Sequence, residues 1–186
     1  VLLVCAELCS LHFRNSDTDE DLVANCLFAD GAAAAILGSN QDCIDGSHAR
    51  IRGFESCVLE DSADFLTWRI DNAAFSMGLD PGTPRVLAKS LPAFAQQLLA
   101  PEREENPYWA IHPGGPAILD AAQEALRLPA AMVDGSRSVL RDFGNMSSPT
   151  VLFVLERTLR AMEQGGTGAA LSFGPGLSIE GMRFTR

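Results

Sequence analysis

The sequence predicts a mixed α/β fold, with sheet and helix packed in layers. Three observations carry this. Between residues 108 and 184, short apolar runs alternate with stretches whose apolar residues recur every three or four positions, the marks of strand and helix in turn. Glycine and proline punctuate the junctions, in Ile111-His112-Pro113-Gly114-Gly115-Pro116, Phe143-Gly144-Asn145 and Phe173-Gly174-Pro175-Gly176. Finally, Leu66, Trp68 and Ile70 alternate with Thr67 and Arg69, and Phe75, Met77 and Leu79 with Ser76 and Gly78. Period two on both arms adds an antiparallel hairpin.

Taken in order, residues 1–5 are a continuous apolar run, which reads as a strand buried on both faces. The chain opens on this strand without a methionine, so we expect a piece of a longer chain. The acidic stretch 15–21 leads into a helix over 22–28, because carboxylates suit the positive end of a helix. Asp17, Asp19 and Asp21 resemble the start of a calcium loop, but Leu22 stands in place of its glycine and Phe28 in place of its glutamate. A turn at 29–31 precedes a strand over 32–37. The loop at 38–46 is taken as a boundary. A strand over 50–59 follows, then the hairpin with its turn at 71–74. A helix is expected over 87–99, with Pro92 interrupting its first turn. Residues 101–107 are a charged connection. The remainder reads as a strand over 108–111, helices over 116–126, 136–143 and 149–162, a glycine loop at 165–168, and strands over 169–173 and 177–184. The glycine loop lacks the lysine of a phosphate loop.

Composition narrows the function. Of 186 residues, 47% are hydrophobic and 20% charged, which is globular rather than disordered. A formal net charge of −10 argues against nucleic acid as a partner. Five cysteines, odd in number and scattered, point to free thiols in a reducing, cytoplasmic setting. No apolar run is long enough to span a bilayer and no secretory signal is present.

His112 carries the strongest chemical signal. It ends a strand and faces the start of a helix opened by Pro116, where a donor can meet a developing negative charge. A lone histidine is more often structural, but the bare backbone of Pro113-Gly114-Gly115-Pro116 favours a site where a ligand approaches closely. Asn145 could cap the next helix, or its amide could donate to an oxyanion without titrating. The turn at 172–176 could be a plain connection or a cavity wall. Cys5, Cys9 and His12 have a zinc-like spacing without a fourth ligand, so no metal site is expected.

Four stretches together resemble the type III polyketide synthases, the chalcone synthase-like enzymes. They are Phe28-Ala29-Asp30-Gly31-Ala32-Ala33-Ala34, Ile111-His112-Pro113-Gly114-Gly115-Pro116-Ala117-Ile118-Leu119-Asp120, Gly144-Asn145-Met146-Ser147-Ser148 and Phe173-Gly174-Pro175-Gly176. The resemblance implies a thiolase-like layered sandwich, with residues 1–46 ending the N-terminal half and 47–186 forming the C-terminal half. It implies decarboxylative condensation of malonyl-CoA with an acyl-CoA starter, with no cofactor beyond these CoA thioesters, in a homodimer. His112 and Asn145 match the catalytic histidine and asparagine. Phe28 matches a gatekeeping phenylalanine and Phe75 a second one. Ala117 matches a backbone contact to the pantetheine arm. Ser147 and His12 match cavity-shaping positions, and Phe173, Gly174 and Pro175 fall in the last motif.

The chain also departs from the family. The nucleophilic cysteine belongs to a helix preceding the strand at 1–5, and none of the five cysteines occupies its motif. Plant members usually carry threonine where His12 stands, and glycine where Ala29 and Ser172 stand. The chain alone is therefore expected to be inactive, completed by a missing N-terminal half. Two alternatives stay open: a ketoacyl synthase III-type enzyme, and a non-catalytic lobe that binds acyl-CoA or a partner.

Overall fold

The structure is a computed structural model that describes residues 1–15, 18–39, 49–70, 72, 75–100 and 107–186. Its centre is a four-stranded sheet of β3 (Arg50–Val58), β6 (Tyr108–Ile111), β7 (Thr167–Gly174) and β8 (Ser178–Thr185), ordered β3-β8-β7-β6. β6 and β7 run parallel, while β8 is antiparallel to both β7 and β3. The parallel pair needs a crossover, supplied by α3 (Pro116–Ala125), α4 (Ala130–Phe143) and α5 (Ser148–Ala161). α2 (Thr83–Leu99) precedes β6.

Side chains alternate across this sheet into two cores. Trp109, Ile111, Ala169 and Leu171 join Leu87, Leu91, Phe94 and Leu98 of α2 and Leu119 of α3. Ala110, Ala170 and Phe184 face the other way, toward Val139 of α4 and Val154 of α5. Helices on both faces explain why β6 and β7 read as unbroken apolar runs.

Two smaller ribbons flank the sheet. β1 (Leu2–Glu7) pairs antiparallel with β2 (Gly31–Ile36), and β4 (Leu66–Ile70) with β5 (Phe75–Leu79). Between β1 and β2 lie a short 3-10 turn (Cys9–His12) and α1 (Asp19–Leu27), whose first turn is capped by the Thr18 hydroxyl accepting from Asp21 N–H. The β1–β2 ribbon leans on α5, and the Ser148 hydroxyl donates to Glu7 Oε1 at 2.6 Å.

Four expectations change. β1 is not buried on both faces: Leu2 and Val4 are 65% and 60% exposed, because α5 packs on the β1–β2 ribbon from one side and, among the described residues, nothing covers the face that carries them. α2 starts at Thr83 with Pro84 in its first turn, and Pro92 lies inside it. Pro92 is exposed, so the carbonyl it frees can reach water. Burial of Leu87, Leu91, Phe94 and Leu98, about 1.5–3 kcal/mol each, outweighs the roughly 3 kcal/mol that an interior proline costs. α4 starts at Ala130 rather than 136 and runs through Gly135, since Val133, Ser136 and Val139 share a buried face. β7 takes in Thr167 and Gly168, which the sequence reads as loop. Cys5, Cys9 and Cys57 are partly buried and Cys26 is exposed, all free thiols. The loop at 40–46 with Cys43, most of the turn at 71–74 and the connection at 101–106 lie outside the described residues.

Two glycines test this packing in opposite directions. A Cβ at Gly31 would sit 2.7 Å from Met146 Cβ, so Gly31→Ala is expected to lower stability by about 1–3 kcal/mol. A Cβ on Gly135 meets nothing closer than Thr158 Oγ1 at 4.0 Å, so Gly135→Ala should raise stability by about 0.5–1 kcal/mol. Urea midpoints of the two variants check both signs.

Candidate active site

The site grows from the end of β6. His112 N–H donates to Leu171 O at 2.8 Å, carrying the β6–β7 ladder one residue past the strand. One residue earlier, Ile111 N–H finds the buried Ser136 hydroxyl of α4 at 3.2 Å. The chain then turns, with Gly114 N–H bonding His112 O at 3.0 Å, and α3 opens with Pro116. These bonds fix the backbone beneath the imidazole from both sides.

Asn145 is fixed more tightly. Its backbone forms a parallel bridge with Phe28, in which Asn145 N–H bonds Leu27 O and Ala29 N–H bonds Asn145 O, each at 2.9 Å. Gly144 makes this approach possible. Its φ of +73° suits glycine, and a Cβ there would lie 3.3 Å from Leu27 O and 3.0 Å from Ala29 Cβ. The buried Asn145 amide is also oriented. Oδ1 accepts from Ser147 N–H at 2.9 Å and from the Thr150 hydroxyl at 3.5 Å, while Nδ2 donates to Gly114 O at 3.3 Å. One amide hydrogen is then left for a ligand. Ser147 holds φ +59°, a conformation that costs a non-glycine residue about 1–3 kcal/mol.

His112 and Asn145 line one cavity of about 130 Å³, with Phe28, Ser147, Phe173 and Pro175 among its other walls. Burial pushes the His112 imidazole down to about 4, so at neutral pH the ring is uncharged and offers one donor and one acceptor. A second cavity of about 660 Å³ is lined by His12, Phe75, Cys9 and Ser10 among others. Phe28, Trp68, Met77 and Ser147 line both spaces and so form the partition between them. The aromatic rings make a string. His12 stacks on Phe75 with centroids 4.4 Å apart, Phe75 meets Trp68 edge-on at 6.2 Å, and Trp68 meets Phe28 at 6.4 Å.

The three glycine junctions therefore converge, and Phe28, Ser147, Phe173 and Pro175 gather with His112 and Asn145. Phe75 and His12 lie across the partition in the larger space. Ala117 sits exposed on the first turn of α3, and neither it nor Gly174 lines either cavity. Trp68 and Met77 were not singled out by sequence as wall residues. They face each other in the β4–β5 register, and the alternation of the hairpin was the available signal. Among the described residues, no group of three His, Cys, Asp or Glu could hold a metal ion, and no helix is long and apolar enough to cross a membrane.

Comparison with known proteins bears on this geometry. Residues 54–185 match the C-terminal domain of chalcone and stilbene synthases, and residues 1–41 match their N-terminal domain. The chain is 31% identical to the alpha-pyrone synthesis polyketide synthase-like Pks18 of Mycobacterium tuberculosis, over 98% of this chain and 49% of that protein. It is 30% identical to the probable polyketide synthase 1 of Dictyostelium discoideum, over 97% of this chain and 6% of the other. Two crystal structures superpose on all of it. The type III polyketide synthase domain of Steely1, a type I/III hybrid from Dictyostelium, does so with TM-score 0.90, 29% identity and 53% of that chain covered. PKS-I of the brown alga Ectocarpus siliculosus gives 0.91, 31% and 52%. The chain thus spans about half the length of the mycobacterial relative. With both domain families matched in order along it and the layered thiolase-like fold shared throughout, the chain belongs to the chalcone and stilbene synthases, the type III polyketide synthases.

Proposed function

We propose that this chain contributes the histidine and asparagine of a type III polyketide synthase, which extends an acyl-CoA starter by decarboxylative condensation with malonyl-CoA. One observation carries the reading: two uncharged hydrogen-bond donors, His112 and Asn145, open into a single small cavity and are tied through Gly114. When the malonyl carboxylate leaves as carbon dioxide, the electrons of the broken C–C bond pass into the thioester carbonyl and charge its oxygen. An imidazole N–H and an amide N–H directed at that oxygen stabilise the enolate more than the starting thioester. The enolate carbon then attacks the acyl carbonyl carbon, forming the new C–C bond as the acyl C–S bond breaks and the carrier thiol leaves as thiolate.

The acyl group needs a nucleophile that this chain does not supply in its family motif. Cys9 does not line the His112 cavity. Its thiol is raised above its ordinary pKa by burial and by the Glu7 and Asp30 carboxylates, which makes it a poor thiolate source. The chain alone is therefore read as inactive, completed by a cysteine-bearing N-terminal half. Substrate contacts fall to Phe28, Phe75, Ser147, His12, Phe173, Gly174 and Pro175, with the pantetheine arm passing the exposed Ala117. The mycobacterial relative's name, alpha-pyrone synthesis, supports a pyrone as product. The same reading takes the assembly to be a cytoplasmic homodimer that uses CoA thioesters without a further cofactor. The missing nucleophile favours a second reading, an acyl-CoA-binding lobe without catalysis.

Mass spectrometry tests the missing nucleophile that both readings share, and the completed assembly separates them. After incubation of the chain with an acyl-CoA, no stoichiometric thioester adduct is expected; such an adduct would overturn the assignment of an external nucleophile. In an assembly completed by the N-terminal half, His112→Ala should slow malonyl-CoA decarboxylation by about 10²–10³-fold, and unimpaired decarboxylation would remove the role given to His112. Stability carries a pH signature as well. Above pH 6.5 the imidazole is neutral whether folded or unfolded, so it adds no pH dependence. Between 6.5 and about 4, the unfolded chain takes up a proton that the folded chain refuses. The contribution is lost as pH falls through that window, by about 3 kcal/mol in all. Urea unfolding at a series of pH values should show this loss, and His112→Gln should flatten it.

A further inference from the structure

β6 ends the four-stranded sheet, in the order β3-β8-β7-β6. Successive amides of a strand point to opposite sides. His112 N–H reaches β7, at Leu171 O, while Ile111 N–H points to the side where, among the described residues, no strand lies. A buried amide there needs another acceptor. The Ser136 hydroxyl supplies it at 3.2 Å, and Ile111 and Ser136 are both fully buried, so water cannot stand in for the bond. Thr158 of α5 does less for the same strand. Its hydroxyl lies 3.4 Å from Trp109 O but 2.9 Å from Val154 O in its own helix.

The next residue of α4 holds the other side of the same corner. Arg137 Nη2 donates to Asp120 Oδ1 at 2.7 Å and to Gln123 Oε1 at 2.9 Å, both on α3. The Arg137 and Asp120 side chains are partly exposed, so this tie is the weaker one. Two consecutive residues of α4 thus span the strand, the turn and the helix that carry His112. The same helix runs on to Phe143, is ended by Gly144 and delivers Asn145. Seven helical rises separate Ser136 from Phe143, about 10 Å of stiff helix. The strand bearing one donor and the loop bearing the other are therefore set against a single element.

We propose that Ser136 is a positioning residue: by accepting from Ile111 N–H it registers the end of β6 on α4, and so fixes the separation of His112 from Asn145, with Arg137 securing α3. It touches no substrate and acts through the two donors. The inference rests on the polyketide synthase reading and deepens it by naming what sets the geometry that the enolate needs. Two donors meet one carbonyl oxygen together at one separation, and a small misplacement of such groups costs rate.

The test uses the whole 186-residue chain and needs no turnover. In NMR of the labelled parent chain, His112 should titrate at about 4. Ser136→Ala leaves Ile111 N–H without an acceptor, and exchange of that amide should quicken about fivefold or more. The strand end then shifts, the imidazole loses part of its enclosure, and its titration moves up toward the ordinary histidine range. The Asn145 side-chain amide signal should shift with it, because Nδ2 is bonded to Gly114 O in the same turn. Ser136→Thr, which restores a hydroxyl, should recover both signals. A purely structural hydroxyl would lower the urea midpoint and leave both signals where they were; that outcome overturns the inference and leaves the polyketide reading standing. Should Ser136→Ala not fold, Ser136→Cys, a weaker acceptor, is read by the same two signals with the same outcomes. Unimpaired decarboxylation by His112→Ala removes the polyketide reading, and these signals do not depend on it.

Discussion

The parallel bridge between Phe28 and Asn145 holds the site together. Two backbone hydrogen bonds of 2.9 Å join the end of α1 to the loop between α4 and α5. Without them, a wall residue of both cavities and the amide of the smaller one would belong to separate pieces of structure. Glycine enforces this junction on both strands of the contact. Gly144 lets the loop come within van der Waals distance of Leu27 and Ala29, and Gly31 leaves room for buried Met146. The bridge also sets the aromatic string in place, since Phe28 meets Trp68 at 6.4 Å from a backbone already fixed by Asn145.

The electrostatics of the site follow from that enclosure. A charged imidazole would be costly where His112 sits, so burial keeps it neutral. Asn145 cannot titrate at all. The cavity thus presents dipoles rather than ions. It can stabilise a charge that appears during reaction without holding a strong counter-charge beforehand, which would bind the ground state as well. Asn145 Oδ1 is saturated by Ser147 and Thr150, so the amide cannot flip to present its oxygen to an oxyanion.

Much of this was legible in the sequence, and the remainder was hidden for specific reasons. β6 was legible because four apolar residues lie between Pro107 and the glycine turn. The meaning of Pro92 was not, because a proline's cost depends on whether the carbonyl it frees faces water, and helical register alone does not show that. The apolar run of β1 suggests burial, but burial depends on what covers each face, and among the described residues α5 packs on one side of the ribbon while Leu2 and Val4 stay exposed. His112 and Asn145 stood out by their glycine junctions. Their meeting depends on a bond between Asn145 and Gly114, 31 positions apart, which only the fold supplies. Alternation showed that Trp68 and Met77 share a face of the hairpin. It could not show that the face turns toward a cavity rather than toward the core.

The partition built by Phe28, Trp68, Met77 and Ser147 gives the two spaces separate tasks. The smaller one, about 130 Å³, has room for only a few heavy atoms, so in the proposed condensation its donors would act on a single carbonyl. The larger one, about 660 Å³, has room for a small organic molecule, which in the proposed reaction would be the growing chain. The side chains of three partition residues make no hydrogen bond to the site, Phe28 meeting Trp68 edge-on and Met77 standing opposite Trp68 in the hairpin, and such side chains can be re-sized without disturbing the donors. Ser147 is the exception. Its N–H is bonded to Asn145 Oδ1 and its backbone is strained, so any change there is felt at the amide. In the proposed reaction, control of what the larger cavity holds would thus be spread over replaceable side chains, while control of the chemistry would be anchored in backbone.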